Sequence, residues 1–420
     1  MTDKHKNLSA IKEVFANKQG LKVLIAGSVL QLFLGIIYVW NIFVEPVADR
    51  LDFSVASVEY TAAFMLGAFV VGIIVAGRLQ VRIGAQATTL FGGLLLSGGM
   101  FATAFIPPQA AWLIYITYGA VGGLGVGMGY TAAFSSAQKW FPTHRGFVTG
   151  VSLAAFGLSA VIFAPLVELL TAFFGVKTMF MILSGIFLCA VLILFSFIKL
   201  PKNFKSDPHP ASAALLGKDY FEVKEMVRFK EFYLIALSLA LAVSAYFVLN
   251  PALAVFARGR GFGHTGAMLL IVLAGGGSVL GRLVVLSKKI DHLGGVVAML
   301  IISAASSVTL GFSEGWLFAV AAVAVAFCFG GYTSIYPVIT AEYFGVKNVG
   351  SNYGAVMVGF GLSALLFPLL FNLFDDGIAK YAVLASLSLA AVIPVVLLMA
   401  GKRKFKKPPE NNTDLSSPKT

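Results

Sequence analysis

The stretch from Ala267 to Ser287 is an apolar run interrupted by one cation, Arg282. About 20 apolar residues are enough for a helix to cross the hydrocarbon core of a membrane. A charge at that depth is costly unless it faces protein or water and has a partner. The run therefore predicts a membrane helix whose arginine meets a functional partner inside the protein. The alternative is that Arg282 extends to the inner membrane surface or closes a helix end.

The composition of the whole chain favours a membrane protein. Of its 420 residues, 58% are hydrophobic and 12% are charged, which is too apolar for a soluble domain. The runs are long and continuous, unlike the alternating strands of an outer-membrane barrel. The first twenty residues lack the apolar core and cleavage site of a signal peptide, so the first span is expected to direct insertion. Cys189 and Cys328 lie in apolar segments and are expected to pack there, without a disulfide or a metal.

Twelve apolar runs predict twelve membrane spans and an all-α membrane protein built as two pseudo-symmetric six-helix bundles. The expected spans are 22–47, 56–77, 86–106, 110–137, 146–171, 178–199, 232–257, 265–287, 294–313, 315–341, 349–374 and 378–400. The expected domains are an N-terminal tail (1–21), an N-terminal bundle (22–200), a linker (201–230), a C-terminal bundle (231–400) and a basic tail (401–420).

The charges follow the predicted topology. The formal net charge is +12, and 25 of the 31 Lys and Arg fall on the side of the termini. This asymmetry predicts a multi-pass protein of the inner (plasma) membrane with both termini cytoplasmic. Because topology accounts for the basic residues, the expected partner is the lipid bilayer and no nucleic acid is expected. The protein is expected to be a monomer.

The two halves share loop patterns at matching positions, as in transporters built from repeats with the binding site between them. The loop after the second span carries Gly77, Arg82 and Gly84, and the loop after the eighth span carries Asp291 and Gly294. The entries to the fifth and eleventh spans carry Arg145 and Asn352, respectively. We expect these seven residues to serve loop structure and conformational change.

These loops resemble those of the major facilitator superfamily. The first is similar to its Gly-x-x-x-Asp-Arg-x-Gly motif, with Val81 in place of the acid. Two further stretches resemble the monocarboxylate and oxalate:formate branch, namely Trp140-Phe-Pro with Arg145-Gly, and Phe344-Gly with Asn352-Tyr-Gly. Arg282 falls where that branch carries its substrate-binding arginine. The resemblance implies transport by alternating access. The fifth span lacks the Gly-Pro signature of proton-driven drug exporters.

Two departures from the branch bear on the cargo. Ser278 stands where animal-type monocarboxylate carriers have an Asp four residues before the arginine. Phe360 stands where oxalate exchangers have a second cation. Because a second carboxylate would be desolvated without a partner, one cation favours a monoanion such as lactate or pyruvate.

The superfamily's cavity is lined mainly by its first, fourth, seventh and tenth helices, where polar side chains recur here. The candidate substrate-binding residues are Arg282, Tyr118, Tyr332, Tyr336, Asn250, Phe360, Tyr38 and Gln31. Each tyrosine alone also fits an interfacial belt or simple packing. Glu45 is the candidate for proton coupling, because it is the acid on the polar face of the first span.

Three functions remain open at this point. The first is proton-coupled symport of a small organic anion, and the second is anion exchange of the oxalate:formate type. The third is a carboxylate sensor that does not transport. An enzyme is not expected, since no nucleophile–base pair and no metal-ligand spacing is visible at depth. No cofactor is predicted.

Overall fold

The computed structural model describes residues 14–201, 220–251, 253–283, 291–372 and 378–404. Parts of the predicted tails and of the 201–230 linker therefore lie outside the described residues, as do the last residues of the predicted eighth span. Within the described ranges, every regular element is a helix.

Twelve helices of the described chain match the twelve predicted spans and confirm the all-α fold. They are α1 (Lys18–Leu51), α2 (Val55–Arg82), α3 (Gly84–Thr103), α4 (Pro108–Trp140), α5 (145–174), α6 (176–194), α7 (Lys230–Leu249), α8 (His264–Leu283), α9 (His292–Phe312), α10 (Gly315–Phe344), α11 (Val349–Asn372) and α12 (Ile378–Gly401). Following the predicted orientation, the ends that carry Gly77 and Asp291 are called inner.

Three features of the helices were not predicted from the spans. Helix α1 is longer than predicted and contains a tighter 3₁₀ stretch at Gly35–Val39. Helices α5 and α6 are separated by one residue, Gly175. Its φ of 73° is a backbone conformation that residues with a side chain disfavour. The predicted span 232–257 is interrupted after Leu249, because Pro251 has no backbone N–H to continue the helix. A short helix, Leu253–Gly259, follows the break.

Glycines bring the helices into backbone contact. A Cβ atom on Gly127 of α4 would meet the Phe69 carbonyl of α2. A Cβ on Gly281 of α8 would meet the Phe327 carbonyl of α10. Small residues of this kind allow close helix packing in membranes, and here they build each half as a tight bundle.

The two halves meet mainly along two helix pairs. Near the inner end, a Cβ on Gly77 of α2 would lie 2.5 Å from the Ser351 backbone of α11. Farther out, Gly275 of α8 faces Ala160 of α5. The inner ends of α2 and α11 therefore leave no open passage between them in this conformation.

Candidate functional site

Arg282 lies in the last described turn of α8, on the boundary between the halves, and is 1% exposed. Its Nη1 donates a hydrogen bond of 2.7 Å to the Leu153 carbonyl of α5. The guanidinium also faces the rings of Tyr38 and Phe156, at 5.5 and 5.6 Å from their centroids. Within the described ranges it forms no ion pair, and its Nε has no hydrogen-bond partner. The arginine is therefore buried against neutral groups only.

The space for this side chain is provided by Gly157, one turn after Leu153 on α5. A Cβ atom at that position would lie 2.5 Å from Nη1 and 3.0 Å from Cζ of Arg282. Any larger residue would thus occupy part of the volume that the guanidinium now fills. The bare glycine positions the charge in the contact between α5 and α8.

A cavity of about 10 Å³, called here the central cavity, lies beside Arg282. Its lining is aromatic and comes from both halves: Tyr38, Phe69, Tyr130, Leu153, Phe156, Arg282, Thr333, Tyr353, Met357 and Phe360. A space of about 10 to 15 Å³ is the threshold for one water. The cavity is thus nearly closed, and a larger guest requires the halves to separate.

Aromatic layers close the central cavity on two sides. On the outer side, Tyr246 of α7 stacks on Phe329 of α10, with centroids 3.7 Å apart, and Tyr38 of α1 meets Phe329 edge-on at 5.8 Å. On the inner side, Phe134 of α4 packs at 5.8 Å from Tyr353 of α11. Each layer joins residues of both halves, so a movement of one half against the other opens it.

A second cavity of about 60 Å³, called here the outer vestibule, lies outward of the Tyr38 ring. It is lined by residues of α1, α2 and the outer end of α7: Ile37, Tyr38, Trp40, Asn41, Val44, Glu59, Ala62, Leu66, Tyr246, Phe247, Asn250 and Pro251. Tyr38 lines both cavities and forms a common wall. The outer vestibule therefore borders the central cavity on its outer side.

The structure brings three of the predicted binding residues to the central cavity, namely Arg282, Tyr38 and Phe360. Gln31 lies behind it, fully buried, and donates from Nε2 to the Tyr130 carbonyl at 3.1 Å. Asn250 lines the outer vestibule instead.

The other three predicted tyrosines are buried in the bundles and do not line the central cavity. Tyr118 packs against Trp40 at 4.6 Å between ring centroids. The Tyr336 hydroxyl donates to Ser238 Oγ at 2.9 Å. Tyr332 is 1% exposed and lies one turn before Tyr336 on α10. These positions supply packing contacts within each half.

Sequence reasoning missed seven lining residues, and Tyr130 and Tyr353 are the two tyrosines among them. Tyr353 belongs to the Asn352-Tyr-Gly stretch that sequence analysis treated as a loop motif, and Tyr130 lies within the glycine-rich part of α4. Their spacing along the chain carries no signal, because the cavity joins them only through the packing of α4 against α11.

Glu45 lies at the outer surface, away from Arg282. Its side chain is 71% exposed, and its Oε1 is 3.8 Å from Nη2 of Arg258. This pair connects α1 with the segment after α7, across the two halves.

The loop-motif residues lie at the inner ends of the helices. Asp291 caps α9 by accepting a hydrogen bond of 3.1 Å from the Gly294 amide. Asn352 donates from Nδ2 to the Phe221 carbonyl at 3.0 Å, and Arg145 donates from Nε to the Pro142 carbonyl at 2.6 Å. Gly84 has a φ of 86° and follows the exposed Arg82.

A family model described as Major Facilitator Superfamily matches residues 24–305, which is more than half of the chain. The chain belongs to the Major Facilitator Superfamily. Among solved structures, this member is similar to the transporter FucP in its outward conformation, with a TM-score of 0.65, 16% identity, and coverage of 92% of this chain and 99% of that one. That similarity concerns the fold.

Three curated relatives in this superfamily match most of the chain. The uncharacterized MFS-type transporter YhjX of Escherichia coli is 27% identical over 81% of this chain and 85% of its own length. The oxalate:formate antiporter of Oxalobacter formigenes is 26% identical over 76% of each. Human monocarboxylate transporter 11 is 27% identical over 78% of this chain and 71% of its own. The protein is therefore a multi-pass membrane transporter and not an enzyme.

Proposed function

We propose that this transporter carries small monocarboxylates and that Arg282 pairs with the carboxylate of the cargo. The observation that carries the proposal is the burial of Arg282 with no ion pair in the described part of the chain. A buried charge is costly when it has no opposite charge nearby. Leu153 offers only a neutral carbonyl, so a carboxylate is the partner that best compensates the guanidinium.

The guanidinium suits a carboxylate in shape as well as charge. Its planar donors match the two carboxylate oxygens, and it stays charged at any physiological pH. Tyr38 and Phe156 cover its faces, which excludes water and strengthens the pairing. The cargo is therefore held by one end, with its remaining atoms toward the other walls of the cavity.

The other walls of the cavity favour a cargo whose part beyond the carboxylate is short and mostly apolar. Helix α11 contributes Tyr353, Met357 and Phe360, none of which is charged. A second carboxylate here would be desolvated without a partner. The hydroxyls of Tyr130 and Tyr353 are the groups that would bond the 2-hydroxyl of lactate. Lactate and pyruvate are accordingly the proposed type of cargo.

Transport follows from the position of the central cavity between the halves. Rocking of the halves opens the outer and inner aromatic layers in turn, which exposes Arg282 to each side of the membrane. We infer that a proton accompanies the anion, which makes each cycle electroneutral. The relatives named as monocarboxylate transporter and oxalate:formate antiporter support an anionic cargo. The basic residues support a placement in the inner membrane with both termini cytoplasmic.

The test is uptake of labelled lactate into proteoliposomes. Arg282→Lys keeps the charge but loses the planar fork, and Arg282→Ala loses both. We expect the alanine variant to lose at least about hundredfold in uptake, equivalent to about 2.7 kcal/mol. Arg228→Lys, at an exposed position, is the matched control. Normal uptake by a folded Arg282→Ala protein would contradict the proposal.

Exchange is the second candidate, favoured by the similarity to the oxalate:formate antiporter. Vesicles without internal substrate distinguish the two modes. Symport predicts lactate accumulation after an acid jump outside, whereas exchange predicts accumulation only after preloading with a counter-substrate. Saturable binding with no flux in either assay would indicate a sensor.

A further inference from the structure

The outer vestibule carries an acid that has no counter-ion among the described residues. Glu59 lies on α2, about 7 Å inward from the cap residue Ser54 if each helical residue advances 1.5 Å. Its side chain is exposed toward the cavity. Within the described residues Glu59 forms no ion pair. The remaining lining residues are apolar, aromatic or neutral amides.

The cations on the outer side are all engaged elsewhere. Arg258 is paired with Glu45 at 3.8 Å. Arg50 donates to the Ala104 carbonyl at 2.6 Å, and Arg260 donates to the Ser313 carbonyl. Lys177 and Lys380 lie over the rings of Phe105 and Phe371. Of the described side chains, none is therefore placed to neutralise Glu59.

A second acceptor in the same cavity also lacks a donor. Asn41 Oδ1 is buried and has no hydrogen-bond partner within the described ranges, and Asn41 lines the cavity with Glu59. A buried carbonyl without a donor costs about 1 to 3 kcal/mol. The cavity thus presents a carboxylate and an amide oxygen, both of which accept hydrogen bonds from N–H donors of a guest.

The walls define the rest of such a guest. Trp40, Tyr246 and Phe247 contribute aromatic surface, and aromatic faces attract ammonium groups by about 0.5 to 2 kcal/mol. The volume of about 60 Å³ is several times the space of about 10 to 15 Å³ that one water needs, so the cavity takes a small guest. Carboxylate, amide oxygen and aromatic rings together select a cation with an apolar body.

We propose that the outer vestibule is a binding site for a small organic ammonium, with Glu59 as its counter-ion. The ammonium donates to Glu59 and Asn41, and its apolar body packs against Tyr246 and Trp40. Tyr38 separates this site from Arg282, so the two cavities bind ions of opposite charge. This site does not depend on the identity of the cargo at Arg282.

The probe is 2-phenylethylammonium, measured by calorimetry on the purified full-length protein, with 2-phenylethanol as its neutral counterpart. We expect the ammonium to bind at least tenfold more tightly than the alcohol. Glu59→Gln should reduce its affinity to that of the alcohol. Asp49→Asn, at an exposed acid on the outer part of α1, should leave it unchanged, as should Arg282→Lys.

Two results would overturn the proposal. One is equal affinity of the wild-type protein for the ammonium and the alcohol, which needs no variant to fold. The other is unchanged ammonium affinity in a Glu59→Gln protein whose thermal unfolding matches the wild type. Failure of lactate uptake to depend on Arg282 would leave this site untouched, so the two proposals fail separately.

Discussion

Arg282 of α8 donates a hydrogen bond of 2.7 Å from Nη1 to the Leu153 carbonyl of α5. The bond joins the two halves through the same guanidinium that we propose for cargo binding. A carboxylate that accepts a hydrogen bond from Nη1 competes with the Leu153 carbonyl. Cargo binding and loosening of the α5–α8 contact are therefore linked in the proposed carrier.

Gly157→Ala tests the space around the guanidinium. The added Cβ would lie 2.5 Å from Nη1 of Arg282, so the side chain must leave its contact with Leu153. We expect lactate uptake to fall at least about tenfold, equivalent to about 1.4 kcal/mol, while the protein remains folded. Gly185→Ala in α6, where a Cβ meets nothing within 4 Å, is the control. Equal uptake by both variants would separate Arg282 from the transport step.

Phe360→Lys tests the proposed preference for a monoanionic cargo. The change places a second cation in the central cavity, on α11. Among the described lining residues, Arg282 of α8 is the only cation. We expect the ratio of oxalate to lactate uptake to rise at least about tenfold, because the second carboxylate gains a partner. Phe360→Leu should keep the preference for lactate. A lysine variant that is active on lactate and still rejects oxalate would place the cargo away from Phe360.

Tyr38 is expected to act through its ring. Its centroid lies 5.5 Å from Cζ of Arg282, a contact worth about 0.5 to 2 kcal/mol. Tyr38→Phe retains the ring and should change the KM for lactate by less than about threefold, whereas Tyr38→Ala should raise it severalfold more. A matching loss in both variants would instead assign the effect to the hydroxyl.

Gly281 is expected to matter for stability. A Cβ at this position would overlap the Phe327 carbonyl of α10 and lie 3.0 Å from the Gly331 amide. Gly281→Ala should therefore destabilise the C-terminal bundle by about 1 to 3 kcal/mol, the usual cost of overpacking. Gly276→Ala, in the same helix but with open space at the Cβ, should be neutral or stabilising. Thermal unfolding in detergent compares the two.

The fold was predictable because its main determinant is local along the chain. Each apolar run is long enough to cross a membrane, and the helices confirm all twelve. The breaks within helices were harder to predict from the sequence than the spans themselves. The interruption after Leu249 depends on Pro251, a signal present in the sequence, whereas the 3₁₀ stretch at Gly35–Val39 has no marker of that kind.

The site was only partly predictable because its residues meet through packing between the halves. Arg282 was identifiable by its charge within an apolar run. Tyr130 and Tyr353 were missed, because the sequence does not indicate which of the many tyrosines in the helices face the other half. Tyr118 and Tyr336 fit the same sequence pattern, yet they face the interiors of their own bundles.

The most direct measurement is the affinity of the purified protein for lactate, determined by calorimetry. It is compared with the affinity for lactamide, the neutral analogue of lactate. Pairing with Arg282 predicts saturable binding of lactate to the wild type, at least tenfold weaker binding of lactamide, and no detectable lactate binding to Arg282→Ala. Lactate binding that persists at wild-type affinity in a folded Arg282→Ala protein would contradict the account.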